Sequence, residues 1–125
     1  MASNKLIRFG PVALSNTLTT NIVNPTVTSL AGVTGFTMTQ PYVVLRHVRV
    51  TNVTGSAATM TMCVGATGAT ATASNSFMGF GLSVPANSYI DWYGSLRLDA
   101  ADFLVGGSGT ASALTFEAEG EIGLV

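Results

Sequence analysis

Apolar and polar residues alternate with period two over most of the chain, the spacing of β-strands rather than helices. The clearest stretch runs from Tyr42 to Val53. Its apolar positions change phase partway, Val43 and Leu45 sharing one parity and Val48 and Val50 the other. A β-bulge near Arg46 and His47 would restore one buried face; the alternative is that both faces are buried at one end. Thr54-Gly55-Ser56 then reads as a turn. Ala58 to Val64 reads as a second strand, with Ala58, Met60, Met62 and Val64 on one side and Thr59, Thr61 and Cys63 on the other. These two strands are expected to pair as an antiparallel hairpin.

Gly65 to Asn75 lacks large side chains and is expected as an exposed loop, its alanines free to lie flat against another subunit. Met78, Phe80, Leu82 and Val84 alternate with small residues, and Pro85-Ala86-Asn87-Ser88 makes a turn. Tyr89 to Tyr93 follows with Ile90 and Trp92 on one face, and Leu96 and Leu98 continue the alternation. The polar turn Asp99-Ala100-Ala101-Asp102 and the glycine turn Gly106-Gly107-Ser108-Gly109 bracket a strand from Phe103 to Val105. The last strand, Leu114 to Ile122, sets Leu114, Phe116, Ala118 and Ile122 in phase and puts Thr115, Glu117, Glu119 and Glu121 opposite as a solvated acidic stripe.

Near the beginning, Leu6 to Leu14 is apolar but broken by Gly10-Pro11, which suits a bend or an edge strand. Leu18, Thr20 and Ile22 alternate up to the turn pair Asn24-Pro25. Residues 26–41 are rich in Thr and Gly, with Leu30, Val33, Phe36 and Met38 as anchors, and read as a long loop holding one short strand. Seven or eight short strands with turn signals at roughly 8–12-residue intervals predict an all-β chain. The expected fold is a single-domain β-sandwich spanning 1–125, jelly-roll-like, with antiparallel sheets. Within it, 1–41 forms an irregular N-terminal arm and long loop, and 42–125 forms the core sandwich.

Composition sharpens this picture in one respect. Hydrophobic residues make up 47% of the chain, an ordinary share, but charged residues only 9%, against a usual value of roughly 25%. Disordered chains are charge-rich and apolar-poor, so disorder does not explain the deficit. Hydroxyl-bearing and small residues must cover the surface, or other chains must bury it, since interface cores are depleted in charge. The net charge of −1 gives no basic stripe for nucleic acid. Lys5, Arg8, Arg46 and Arg49 lie in the first part of the chain, and all six carboxylates follow residue 90. Pairing of strands from the two halves compensates these charges; head-to-tail contact between copies is the alternative. Met1 to Gly10 has no apolar core of a secretory signal, and no apolar run is long enough to span a bilayer. A protein made in a cytoplasm, with no membrane partner, is expected.

Candidate chemistry is sparse. Cys63, the one cysteine, has no neighbouring charge in sequence to activate it and reads as a buried structural thiol. His47, the one histidine, stands between Arg46 and Arg49, which repel a cation. Asp99 and Asp102 are suited to capping their own turn rather than to holding calcium. Gly79 and Gly81 precede no helix and no Gly-Lys-Thr/Ser, so they form no phosphate loop. The expectation is therefore a non-enzyme with no catalytic residues, no metal and no cofactor. Phe77, Phe80, Tyr89, Trp92 and Tyr93 cluster in the sequence, as in a sugar-stacking platform or as core and interface anchors. Phe80 and Trp92 have core parity. Tyr89 and Tyr93 have the opposite parity and are the candidate interface residues.

The segment from Val44 onward resembles small virion proteins of tailed bacteriophages. The resemblance rests on Val-Arg-Val-Thr-Asn-Val-Thr-Gly-Ser-Ala-Ala-Thr-Met-Thr-Met at 48–62, Leu82-Ser83-Val84-Pro85-Ala86-Asn87-Ser88 and Leu98-Asp99-Ala100-Ala101-Asp102-Phe103-Leu104. It also rests on the ending from Thr110-Ala111-Ser112-Ala113-Leu114-Thr115-Phe116 through Gly120-Glu121-Ile122. The order is most like that of capsid decoration (cement) proteins. The resemblance implies a β-sandwich that binds the major capsid protein on the outside of the shell and itself as a homo-oligomer such as a trimer, located in the virion. A tail, neck or baseplate accessory protein and a carbohydrate- or receptor-binding module are the alternatives.

Overall fold

The computed structural model describes residues 5–25 and 42–123. Its eight strands are β1 (Lys5–Ala13), β2 (Asn21–Val23), β3 (Tyr42–Asn52), β4 (Ala58–Gly65), β5 (Ser76–Val84), β6 (Tyr89–Asp99), β7 (Phe103–Ser108) and β8 (Leu114–Ile122). They form two antiparallel four-stranded sheets, ordered β1-β8-β3-β6 and β2-β7-β4-β5. β4 pairs with β5, β3 with β6, β2 with β7 and β1 with β8. The chain is thus doubled back on itself at the β4–β5 connection and rolled, so that β3 also meets β8 and β4 meets β7. This is the strand order of a jelly roll.

The expected bulge in β3 is present. The register of β3 against both β6 and β8 shifts between Leu45 and His47. Arg46 and His47 both reach the outer face, and Val43, Leu45, Val48 and Val50 are all completely buried. They meet Phe9, Leu98, Phe116 and Ala118 from their own sheet and Met60, Met62, Val84 and Leu104 from the other, which together form one continuous core. Phe77 on β5 and Trp92 on β6 close the side of the sandwich between these edge strands, their rings edge to face at 4.8 Å and 72°.

Three expectations are corrected. First, β3 and β4 do not pair as a hairpin; they belong to different sheets. The corner between them is built by Asn52, which is 1% exposed. Its Nδ2 donates to the carbonyls of Ser56 (2.8 Å) and Val84 (3.0 Å). Its Oδ1 accepts from the backbone N–H (2.9 Å) and hydroxyl (2.7 Å) of Thr54. The side chain thereby carries the main chain across the core instead of turning it back alongside itself.

Second, the described part of 1–41 is not an arm. β1 is an edge strand paired with β8 and broken in register between Phe9 and Val12, where Gly10-Pro11 lies. β2 pairs with β7. Phe9, Ile22 and Val23 are buried, so burial of these side chains draws both segments into the sandwich. The anchors Leu30, Val33, Phe36 and Met38 lie outside the described residues.

Third, Phe80 is not core; it is 67% exposed, and Leu82 is also exposed. Met78, Gly79 and Gly81 all have positive φ, and the β4–β5 register slips twice opposite them. Parity counting assumes an extended backbone, and here the backbone leaves it.

Charge is divided between the sheets. β1 carries Lys5 and Arg8, β3 Arg46 and Arg49, β6 Asp91, Arg97 and Asp99, and β8 Glu117, Glu119 and Glu121; β2, β4, β5 and β7 carry none. Asp102 sits in the β6–β7 turn, where its Oδ2 accepts from the Asp99 N–H at 3.0 Å and its own N–H donates to the Asp99 carbonyl at 2.9 Å. The two aspartates hold their own turn.

Candidate functional site

Outward-facing residues of β3 and β6 build a dense polar cluster. The register places Arg49 opposite Asp91, His47 opposite Tyr93 and Thr51 opposite Tyr89. Directly opposed residues share a face and touch. Arg49 reaches Asp91 with both arms of its fork, Nε to Oδ1 at 2.8 Å and Nη2 to Oδ2 at 3.0 Å. His47 Nε2 lies 2.8 Å from the same Oδ1. An ionised carboxylate only accepts, so the imidazole carries its proton on Nε2.

This arrangement fixes the charges. Hydrogen bonds from Arg49 and then from His47 hold the Asp91 carboxyl down at about 2, below its ordinary 3.8. The bond to Asp91 raises the pKa of Arg49 in turn. Asp91 and Arg49 are therefore both ionised throughout the physiological range.

Both tyrosines lean on it. Tyr93 stacks on His47 with ring centroids 4.6 Å apart and planes 11° from parallel. The Arg49 guanidinium carbon lies 4.3 Å from the centre of the Tyr89 ring. Tyr93 remains 69% and Tyr89 53% exposed. One face of each ring is packed, and large parts of both rings face solvent.

The same sheet face continues toward β8 and β1. Arg46 on the bulge bonds Glu121 through Nη2 at 2.7 Å and Nε at 3.1 Å, and Ser95 through Nη1 at 2.6 Å. Arg97 pairs with Asp99 at 2.9 Å and covers the Tyr42 ring at 4.1 Å. The basic first half and the acidic second half of the chain thus compensate each other across strands. Isolated exposed pairs contribute little to stability; their effect here is to fix a patterned, electrically balanced surface.

The remaining sequence candidates are dispersed. Trp92 faces inward against Phe77. Cys63 is completely buried, on the outer side of the second sheet. The 66–75 loop folds over it, the thiol approaching the Ala69 carbonyl at 3.8 Å. The loop extends to β2, where Asn21 bonds Thr67 and the Gly68 N–H. The loop is exposed over most of its length, as expected, while its inner side covers Cys63, whose burial raises the thiol pKa. Among the described residues, no three His, Cys, Asp or Glu side chains come together as a metal site would require.

Sequence parity placed Tyr89 and Tyr93 on the outer face but missed His47, Arg49 and Asp91 as their supports. The signal lay in the phase change at Arg46-His47, which turns both of those side chains outward.

Neither a protein-family model, nor a curated protein, nor a solved structure matches this chain.

Proposed function

We propose that the protein is a virion structural protein that binds the outer surface of a phage capsid and stabilises it. The observation that carries this reading is the pair Tyr89 and Tyr93, exposed yet held in place by Arg49 and His47. Tyrosine and arginine dominate binding hot spots. Rings already held by a stack and a cation lose little freedom on docking. The charges around them are largely satisfied at home, so a partner need not supply counter-charges for Asp91 or Arg46. The polar groups of this cluster are spent on bonds among themselves, which suits attachment better than turnover. Many copies on a shell multiply a modest individual affinity.

The test adds the purified protein to phage capsids that lack it and counts bound copies by denaturing gel. Hundreds of copies per particle and greater resistance to heat support the proposal. A handful of copies points instead to a tail, neck or baseplate position, and glycan binding without capsid binding points to a receptor module. Tyr93→Ala should weaken capsid binding by roughly 30-fold, the effect of losing one hot spot of about 2 kcal/mol.

A further inference from the structure

Among the described residues, four strands have a pairing neighbour on one side only: β1 and β6 in the first sheet, β2 and β5 in the second. Three of these edges are blunted. β1 carries Gly10-Pro11 and loses register there. β2 is three residues long. β5 slips twice against β4 and passes through positive φ at Met78, Gly79 and Gly81. Such features keep an edge from pairing further. β6 has none of them between Tyr89 and Tyr93, where it holds an unbroken register with β3 and contains no proline or glycine. Asp91 is the one charge in this stretch, and Arg49 and His47 already occupy its carboxylate. The hydrogen-bond phase shows what the open side presents. The Asn52 N–H donates to the Ser88 carbonyl at 2.7 Å. Bonded and non-bonded pairs alternate along an antiparallel ladder, so Ile90 and Trp92 bond to β3. The N–H and C=O groups of Tyr89, Asp91 and Tyr93 therefore point out of the sheet. On the far side of β3, the Val53 N–H bond to the Ala113 carbonyl at 3.3 Å sets the same phase.

We propose that residues 89–93 of β6 take up an extended segment of another protein as an added strand of the first sheet. The proposal rests on the reading that another protein docks beside Tyr89 and Tyr93, and it states how that protein is held. The outward backbone groups select a strand as the occupant. They stand in one row with donors and acceptors alternating, and an extended backbone presents the matching row. Side chains select its pattern. Ile90 and Trp92 face the core yet are only half-buried, with no described strand on their open side. Alternate residues of an added strand lie beside them, so the segment is apolar at every second position. Its remaining side chains lie on the outer face next to Tyr89, Asp91 and Tyr93. Uncharged residues such as Thr suit that row, since a carboxylate opposite Asp91 is unfavourable. A second copy of the chain fits less well: full overlap of two antiparallel β6 strands sets Asp91 against Asp91.

The probe is the capped peptide acetyl-Lys-Val-Thr-Val-Thr-Val-Lys-amide, titrated into the millimolar range against the isotope-labelled full-length protein and followed by NMR. The amides of Tyr89, Asp91 and Tyr93 should shift and exchange more slowly with solvent, while those of β1 and β5 stay unchanged. Absence of shifts at these three amides, or shifts on β1 or β5 instead, overturns the proposal. Protection of the same amides that grows with protein concentration alone assigns the edge to a second copy and overturns it too. Capsid binding gives the second measure, through Tyr89→Ala and Tyr89→Pro. Both remove the ring, but only proline also removes the outward N–H, at the first residue of an edge strand where proline is tolerated. Tyr89→Pro should bind capsids about tenfold more weakly than Tyr89→Ala, the effect of one lost backbone hydrogen bond. Circular dichroism checks that both variants retain their sheets. Equal binding by the two overturns the added strand and leaves the capsid proposal standing. Peptide shifts at Tyr89, Asp91 and Tyr93 in a protein that binds no capsid sustain the added strand and overturn the capsid proposal.

Discussion

Tyr93 lies flat on His47, the ring centroids 4.6 Å apart, and His47 is itself tied to Asp91. The tyrosine is thus placed by a histidine that is placed by a carboxylate. His47→Ala should release the Tyr93 ring while leaving it present. The fold should lose about 0.5–1.5 kcal/mol in urea denaturation, the worth of an aromatic pair, and the Tyr93 ring resonances should broaden or average. Unchanged Tyr93 chemical shifts in His47→Ala would show that the stack does not position it.

The depressed Asp91 carboxyl sets a pH dependence with a definite sign. A carboxylate held below its ordinary value stabilises the fold while it is ionised in the native state. That contribution is complete above pH about 4 and fades as pH falls through about 2, between the ordinary 3.8 and the native value. The stability gap between wild type and Asp91→Asn should therefore narrow over that window, measured by urea denaturation at a series of pH values. A gap that stays constant down to pH 2 would mean that the Arg49 and His47 bonds do not form in solution.

Asn52 makes both donor and acceptor bonds at a fully enclosed corner. Asn52→Leu leaves the Val84 carbonyl and the Thr54 N–H without those partners, at a cost of about 2–3 kcal/mol. Thr54→Val should cost less, because the Thr54 backbone bond to Asn52 survives. Chemical denaturation of both variants gives the comparison.

Gly120 on β8 stands where a Cβ would meet the Val44 carbonyl of β3. Gly120→Ala should push β8 off the bulged segment of β3 and lower the melting temperature by several degrees, at about 4 °C per kcal/mol for a chain of this size. Gly68→Ala has open space around its Cβ but a positive φ. Its smaller loss would come from backbone strain alone.

Cys63 is enclosed, and its thiol is raised by burial. Ellman's reagent should leave it unmodified in the native protein and react in full once guanidinium unfolds the chain. Fast reaction under native conditions would show that the 66–75 cover opens readily.

Much of this architecture was legible in the residues, and what was hidden depended on distant partners. The phase change between Leu45 and Val48 announced the bulge, because burial on one face constrains parity residue by residue. The outward position of Tyr89 and Tyr93 followed from the same count. The corner at Asn52 did not, since a turn followed by an alternating run looks alike in a hairpin and in a crossover; what decides is the Val84 carbonyl on another strand. Phe80 was misplaced because Met78 adopts a conformation seldom taken by side chains other than glycine. The charge imbalance between the two halves of the sequence was plain. Its meaning as one charged and one uncharged sheet needed the strand order.

The place of β8 has a consequence for how the molecule is made. It is the last of the described strands in chain order, yet it lies between β1 and β3 and supplies pairing partners to both. Until it leaves the ribosome, β1 lacks the strand it pairs with among the described residues. The first sheet therefore assembles after synthesis of its final strand, and an interrupted chain would expose two ready edges to aggregation.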